Sequence, residues 1–171
     1  DSPTTKLKGH GSGHYMSALA FAFASCTDPE TDLSKEKNEL RERIRRMVNE
    51  LRECQERTFV WDSTLNRYKE ARDYAPEEEL KKMKGNWAAF NEYKKDYKNY
   101  GYGYLNAIPA AHPALIECYR AYNNEEWVWA PYYTIHKQLA GLIDIANNID
   151  DKEIAAKALL IAKDMGLWVW N

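Results

Sequence analysis

The chain has 171 residues, enough for one domain with a real core, and its 24 basic and 26 acidic residues leave a net charge of −2. That balance gives no bulk electrostatic case for a nucleic-acid or membrane-surface partner. No apolar run approaches the roughly 18 residues of a spanning helix, and residues 19–24, the most apolar stretch, follow no basic segment, so a signal peptide is not expected within the chain.

In chain order, Tyr15, Met16, Leu19, Ala20 and Phe23 recur at helical spacing, which predicts a helix that starts behind Ser12 as its N-cap. It is apolar on nearly every side up to Cys26, so deep burial is expected. The segment TDPET at 27–31 reads as a turn. Residues 34–57 form the clearest helix: Leu40, Ile44, Met47, Val48 and Leu51 make one stripe, with Arg41, Glu42, Arg45, Arg46 and Glu50 toward water. Ser34 is its expected cap. Residues 57–100 read as an irregular insertion, in which Pro76 and EEELKKMK predict a short exposed helix stopped at Gly85. The Lys- and Tyr-rich run at 87–100 has no clean period. GYGYLNAIP at 101–109 is a loop, and residues 112–122 predict a short amphipathic helix. Pro131 opens a helix to about residue 147 with Tyr132, Ile135, Leu139, Leu142, Ile143 and Ile145 as its apolar set. Asp150 or Asp151 caps a last helix to about residue 170. No β-alternation of useful length appears, so the fold class is all-α.

The pattern repeats. HYMSALAFAFA, a turn and LRERIRRMVNELRECQ are an apolar helix followed by an amphipathic one. HKQLAGLIDIANNI, a turn and KEIAAKALLIAKDMGLWV are the same arrangement again. Repeated helical hairpins suggest a solenoid or a toroid, with apolar helices inside and amphipathic ones outside. His14 and His136 then stand near the starts of the two inner helices.

His10 and His14 have the i,i+4 spacing of an HExxH zinc helix. The Glu of that motif is missing, and Gly9, Gly11 and Gly13 argue against a continuous helix through both, so no metal ligand is assigned. A neutral imidazole at a helix start donates from one nitrogen and accepts at the other, which suits a polyhydroxylated ligand. It equally ties a loop to a helix. Trp127, Trp129, Tyr132 and Tyr133 cluster before His136, and they fit either a carbohydrate pocket or a seal between hairpins. His112, beside Pro113, reads as structural. Cys26, Cys54 and Cys118 form no CxxC pair, which argues against a disulfide scaffold or a zinc ribbon.

GHGSGHYMSALA, ECQ at 53–55, GYLNAIP at 103–109 and WAPYYTIHKQLAGL at 129–142 resemble, in order and spacing, the β-L-arabinofuranosidase group, glycoside hydrolase families 127 and 146. The resemblance covers most of the chain and is weakest over 57–100. It implies an (α/α)6 toroid of which residues 1–171 are a single partial domain, the first half of the catalytic barrel. It implies a retaining exo-hydrolase of β-L-arabinofuranosides, secreted or periplasmic, with arabinose-containing glycans and the remainder of the same polypeptide as partners. Family members use a cysteine thiolate as nucleophile, held in a zinc site of Glu and Cys, and a glutamate as acid/base. Those cysteines follow the IHK helix in the family, so the resemblance implies no catalytic residue and no cofactor within this chain, with zinc expected in the complete enzyme. Cys54 of ECQ reads as a packing position. What carries over is sugar binding: His136 of TIHK first, then His14 and His10 of GHxxGHY, with Tyr104, Trp129 and Tyr133 as further pocket residues. Half a ring is expected to expose apolar faces of its inner helices and to be inactive alone. The alternatives are a non-catalytic helical carbohydrate-binding module and a helical-repeat scaffold for other proteins. Other (α/α)6 hydrolases need paired ring carboxylates, and no such pair stands out in the apolar helices.

Overall fold

The computed structural model describes residues 7–27, 30–74, 96–108, 110, 113 and 130–171. The helices expected at 76–85 and 112–122, most of the 87–100 run, His112, Cys118, Trp127 and Trp129 lie outside the described residues, Pro113 excepted. Among the described residues four α-helices carry the fold, as the all-α reading expects: α1 (His10–Ser25), α2 (Ser34–Glu56), α3 (Pro131–Asn148) and α4 (Lys152–Trp170). A two-stranded antiparallel hairpin, β1 (Trp61–Asp62) and β2 (Arg67–Tyr68), interrupts the region read as irregular, too short to leave a period-2 signal.

The two hairpins pack side by side. The apolar helices α1 and α3 lie against each other, and α2 and α4 pair behind them. Met16, Leu19, Ala20 and Phe23 of α1 meet Ile135, Leu142 and Ile145 of α3, Ile44 and Val48 of α2, and Ile154, Ala158, Ile161 and Met165 of α4. The α2 stripe falls as its spacing predicts, with Ile44 and Val48 fully buried and Leu40, Met47 and Leu51 partly so.

Several expectations need correction. α1 does not wait for Ser12; it starts at His10, with Gly9 as N-cap at φ 88, a left-handed conformation that glycine alone adopts without strain. Nor is α1 buried on every side, since Tyr15 and Phe21 remain 49% and 53% exposed. α2 and α3 cover only the face that carries Met16, Leu19, Ala20 and Phe23. Ser34 is the first residue of α2 rather than its cap; Leu33 holds the N-cap position without a side-chain cap, and the Asp32 carboxylate before it accepts the Ser34 N–H at 3.1 Å. Cys54 is exposed, and its neighbour Gln55 is the packed residue of ECQ.

The charged face of α2 is also less solvated than its pattern suggests. Arg41 forks onto Asp150 at 3.0 and 2.9 Å, and Arg45 donates to Asp151 at 2.7 Å. Asp151 is the N-cap of α4, as expected, accepting from the N–H groups of Glu153 and Ile154. The α3–α4 turn is thus clamped to α2. The Arg41 guanidinium further lies 5.3 Å from the centre of the Phe23 ring.

Candidate functional site

α1 and α3 touch backbone to backbone, and two glycines make that possible. A Cβ on Gly13 would stand 2.3 Å from the Lys137 carbonyl oxygen, and one on Gly141 would stand 2.6 Å from the Gly13 oxygen. This close crossing also explains why the helix runs through His10 and His14 despite its glycines. Each interior glycine costs a helix about 1 kcal/mol, but at Gly13 the empty side chain admits the neighbouring helix, and the packing gained there outweighs the propensity lost.

The crossing sets one end of α1 beside one end of α3. His10, half-buried, stacks on Tyr133 with ring centres 5.3 Å apart at 21°. His14, one turn later and exposed, meets His10 edge-on at 4.5 Å, and their Nε2 atoms are 3.1 Å apart. In that pair one ring donates its N–H to the lone pair of the other. The His136 ring centre lies 6.5 Å from that of Tyr133, and the Lys137 ammonium lies 5.1 Å from the Tyr133 ring centre. The structure therefore gathers His10, His14, Tyr133 and His136 into one histidine–aromatic patch.

The loop GYLNAIP reaches the same end. Asn106 donates its amide to the Thr134 hydroxyl at 2.9 Å, and that buried hydroxyl donates to the Pro131 carbonyl at 2.7 Å. A Cβ on Gly9 would meet both the Gln138 amide and Asn106. Gln138, 6% exposed, has an Oε1 without a hydrogen-bond partner among the described residues. A buried acceptor left unpaired costs about 1–3 kcal/mol, so the floor of this patch is polar as well as packed.

Tyr104 sits elsewhere. It is 3% exposed and packs edge-on against Trp168 and Tyr100, at 4.8 and 5.0 Å between ring centres. Its ring is part of the core under the loop. Trp129 lies outside the described residues.

A second polar cluster went unmarked in the sequence. Asp164, on the inner side of α4, is 2% exposed. It accepts from Arg52 at 2.7 Å and from the Tyr102 hydroxyl at 2.9 Å. Burial, and then the Asp164 carboxylate on its hydroxyl, push the Tyr102 phenol up to about 12. Arg52 also holds the Gln55 side-chain oxygen at 2.8 Å, while the Gln55 amide donates to the carbonyls of Gly103 and Ile161 at 3.0 and 3.1 Å. Gln55 thus spends its side chain joining α2, α4 and the GYLNAIP loop. The signal for Asp164 was its place between Ile161 and Met165, an acid on an apolar stripe.

Among the described residues no group of three or more His, Cys, Asp or Glu is arranged to hold a metal ion. The Cys26 thiol donates to the Ala22 carbonyl at 3.3 Å at the end of α1, and Cys54 stands exposed on α2. These two thiols do not fit a zinc site of Glu and Cys.

The fold and the patch define an all-α protein of paired helical hairpins, with imidazoles and an aromatic ring at one end of its closely crossing helices α1 and α3. Over residues 1–171 the chain matches the family described as beta-L-arabinofuranosidase, GH127 catalytic domain. It belongs to that family of glycoside hydrolases acting on arabinofuranosides. No curated protein and no solved structure matches it.

Proposed function

We propose that this chain supplies the sugar-binding part of an (α/α)6 toroid in a retaining exo-hydrolase of β-L-arabinofuranosides. The observation that carries the reading is the patch itself: His10, His14, Tyr133 and His136 meet at one end of α1 and α3 in a chain of this family. His136 and His14 hydrogen-bond hydroxyls of the arabinofuranose, since a neutral imidazole offers one donor and one acceptor. Tyr133 orients His10 through the stack. Trp129 is assigned to the sugar site on the family resemblance alone, and the buried Tyr104 braces the GYLNAIP loop.

The nucleophilic thiolate, the acid/base glutamate and the zinc belong, in this reading, to the remainder of the same polypeptide. The residues here bind and orient the sugar and make or break no bond. The setting we propose is secreted or periplasmic, on the family resemblance.

The test is His136→Ala in the complete domain with an aryl β-L-arabinofuranoside. A fall in kcat/KM of at least about tenfold, or ~1.4 kcal/mol of transition-state binding, is expected. Unchanged kinetics remove His136 from the site. The 171-residue chain alone is expected to show no turnover, and measurable hydrolysis by it overturns the division of labour between the two parts.

A further inference from the structure

The glycine objection to a His10–His14 metal pair does not survive the structure, because α1 is continuous through both residues. We propose that the two imidazoles chelate a divalent transition-metal ion of borderline softness, such as Ni²⁺ or Cu²⁺, through their Nε2 atoms. This site is separate from any zinc that the family's catalysis uses, and it rests on geometry alone rather than on the sugar-binding reading.

Three observations carry it. The first is the distance. Two imidazole nitrogens bonded to one metal at about 2.05 Å subtend ~98° when they stand 3.1 Å apart. That angle falls between the ~90° of tetragonal Ni(II) and Cu(II) sites and the ~109° of tetrahedral ones. The second is preorganisation. The His10 ring is already held by its stack on Tyr133 and its edge contact with His14, so ordering it costs less than for a free surface histidine. The third is access. His14 and Ser12 are exposed, and among the described residues nothing lies within 4 Å of where a Cβ on Gly11 would stand. That side leaves room for the waters that complete the coordination shell.

The proton balance is simple. In the metal-free pair one Nε2 carries a hydrogen and donates it to the other. Chelation needs both Nε2 lone pairs, so that ring moves its proton to Nδ1 by way of solvent, and no net proton is released. An ion seated here occupies both imidazoles and excludes a sugar hydroxyl from them.

The experiment is a Ni²⁺ titration of the zinc-loaded complete domain by calorimetry, with paramagnetic broadening of the imidazole resonances to locate the ion. One Ni²⁺ per domain is expected, broadening His10 and His14 first. His10→Gln and His14→Gln are each expected to weaken binding at least about tenfold, because each turns a two-point attachment into a single one. Helical circular dichroism and Tm, unchanged in both variants, show that folding is intact. Absent saturable binding, or only a twofold loss from each variant as for independent histidines, overturns the proposal. Neither result depends on whether the protein hydrolyses a glycoside.

Discussion

Gly13→Ala and Gly11→Ala are the same substitution two residues apart on one helix, and the structure gives them opposite signs. At Gly13 the new methyl would stand 2.3 Å from the Lys137 oxygen, 2.4 Å from the Lys137 carbonyl carbon and 2.8 Å from the Gln138 nitrogen. Real Cβ atoms essentially never approach closer than 3.0 Å, so α1 and α3 must part by at least 0.7 Å (3.0 less 2.3). The obstacle is backbone, and no rotamer relieves it. A gap of that size forfeits about a quarter to a half of the dispersion energy across the contact, and Met16 and Leu142, both fully buried, lie on it. Overpacking of this kind costs about 3 kcal/mol at the upper end of its usual range, against a propensity gain of about 1 kcal/mol for replacing glycine in a helix. The net expectation is a loss of about 2 kcal/mol, or ~1 M in urea midpoint for m near 2 kcal/mol/M. At Gly11 nothing among the described residues lies within 4 Å of the new methyl. Only the propensity term remains, and the variant is expected to gain about 0.5–1 kcal/mol. Urea unfolding followed by circular dichroism measures both. A Gly13→Ala midpoint at or above that of the parent would refute the backbone contact between α1 and α3, and with it the placement of the histidine patch.

Two further outcomes follow from the charge clusters. Asp150 and Asp151 are held below the ordinary aspartate value of 3.8, first by the hydrogen bonds from Arg41 and Arg45 respectively. A carboxylate lowered in the folded state stabilises fully above its unfolded value and loses that contribution as pH falls through its folded one. Urea midpoints from about pH 6 to about pH 3 should therefore decline in the parent and decline less in Asp150→Asn/Asp151→Asn; identical slopes would show that the clamp on the α3–α4 turn contributes nothing. Asp164→Asn removes the buried carboxylate that joins Arg52 and Tyr102, while Arg52 keeps Gln55 and Glu56, and a loss of about 1–3 kcal/mol in urea unfolding is expected, an unchanged midpoint refuting the role of the cluster.

The helices that carry the core were legible because burial imposes a period. The α2 stripe of Leu40, Ile44, Met47, Val48 and Leu51 needed only its spacing, and the Asp151 cap needed only its place before an apolar run. What escaped was every feature whose reason lies on another element. Gly13 looks like a helix breaker until Lys137 is set against it. Arg41 and Arg45 look solvated until the α3–α4 turn folds back onto them. Cys54 and Gln55 are adjacent on one helix, and a sequence does not say which of them faces α4.

The four stretches that carry the family resemblance also touch one another. Gln55 of ECQ bonds the Gly103 carbonyl of GYLNAIP; Asn106 of GYLNAIP bonds Thr134 of PYYTIHK; and Gln138, two residues past His136, lies against Gly9 at the head of the GHGSGHY helix. A chain of contacts of this kind has a physical consequence for the patch. The imidazoles sit on two helices whose relative height is set by Gly13 against Lys137, and whose ends are pinned by Asn106 and Gln138. His10 and His14 hold their 3.1 Å separation through their shared helix, whereas the distance from either to His136 depends on the interhelix contact alone. Gly13→Ala should therefore shift Tyr133, and with it the stack on His10, together with His136, while the spacing of His10 and His14 along α1 is kept. The same variant then separates the two readings of this surface: a loss of Ni²⁺ affinity smaller than that of His10→Gln, with sugar binding by the complete domain weakened at least about tenfold. Equal losses in both would mean that the helix start itself, and not the crossing, is what the glycine protects.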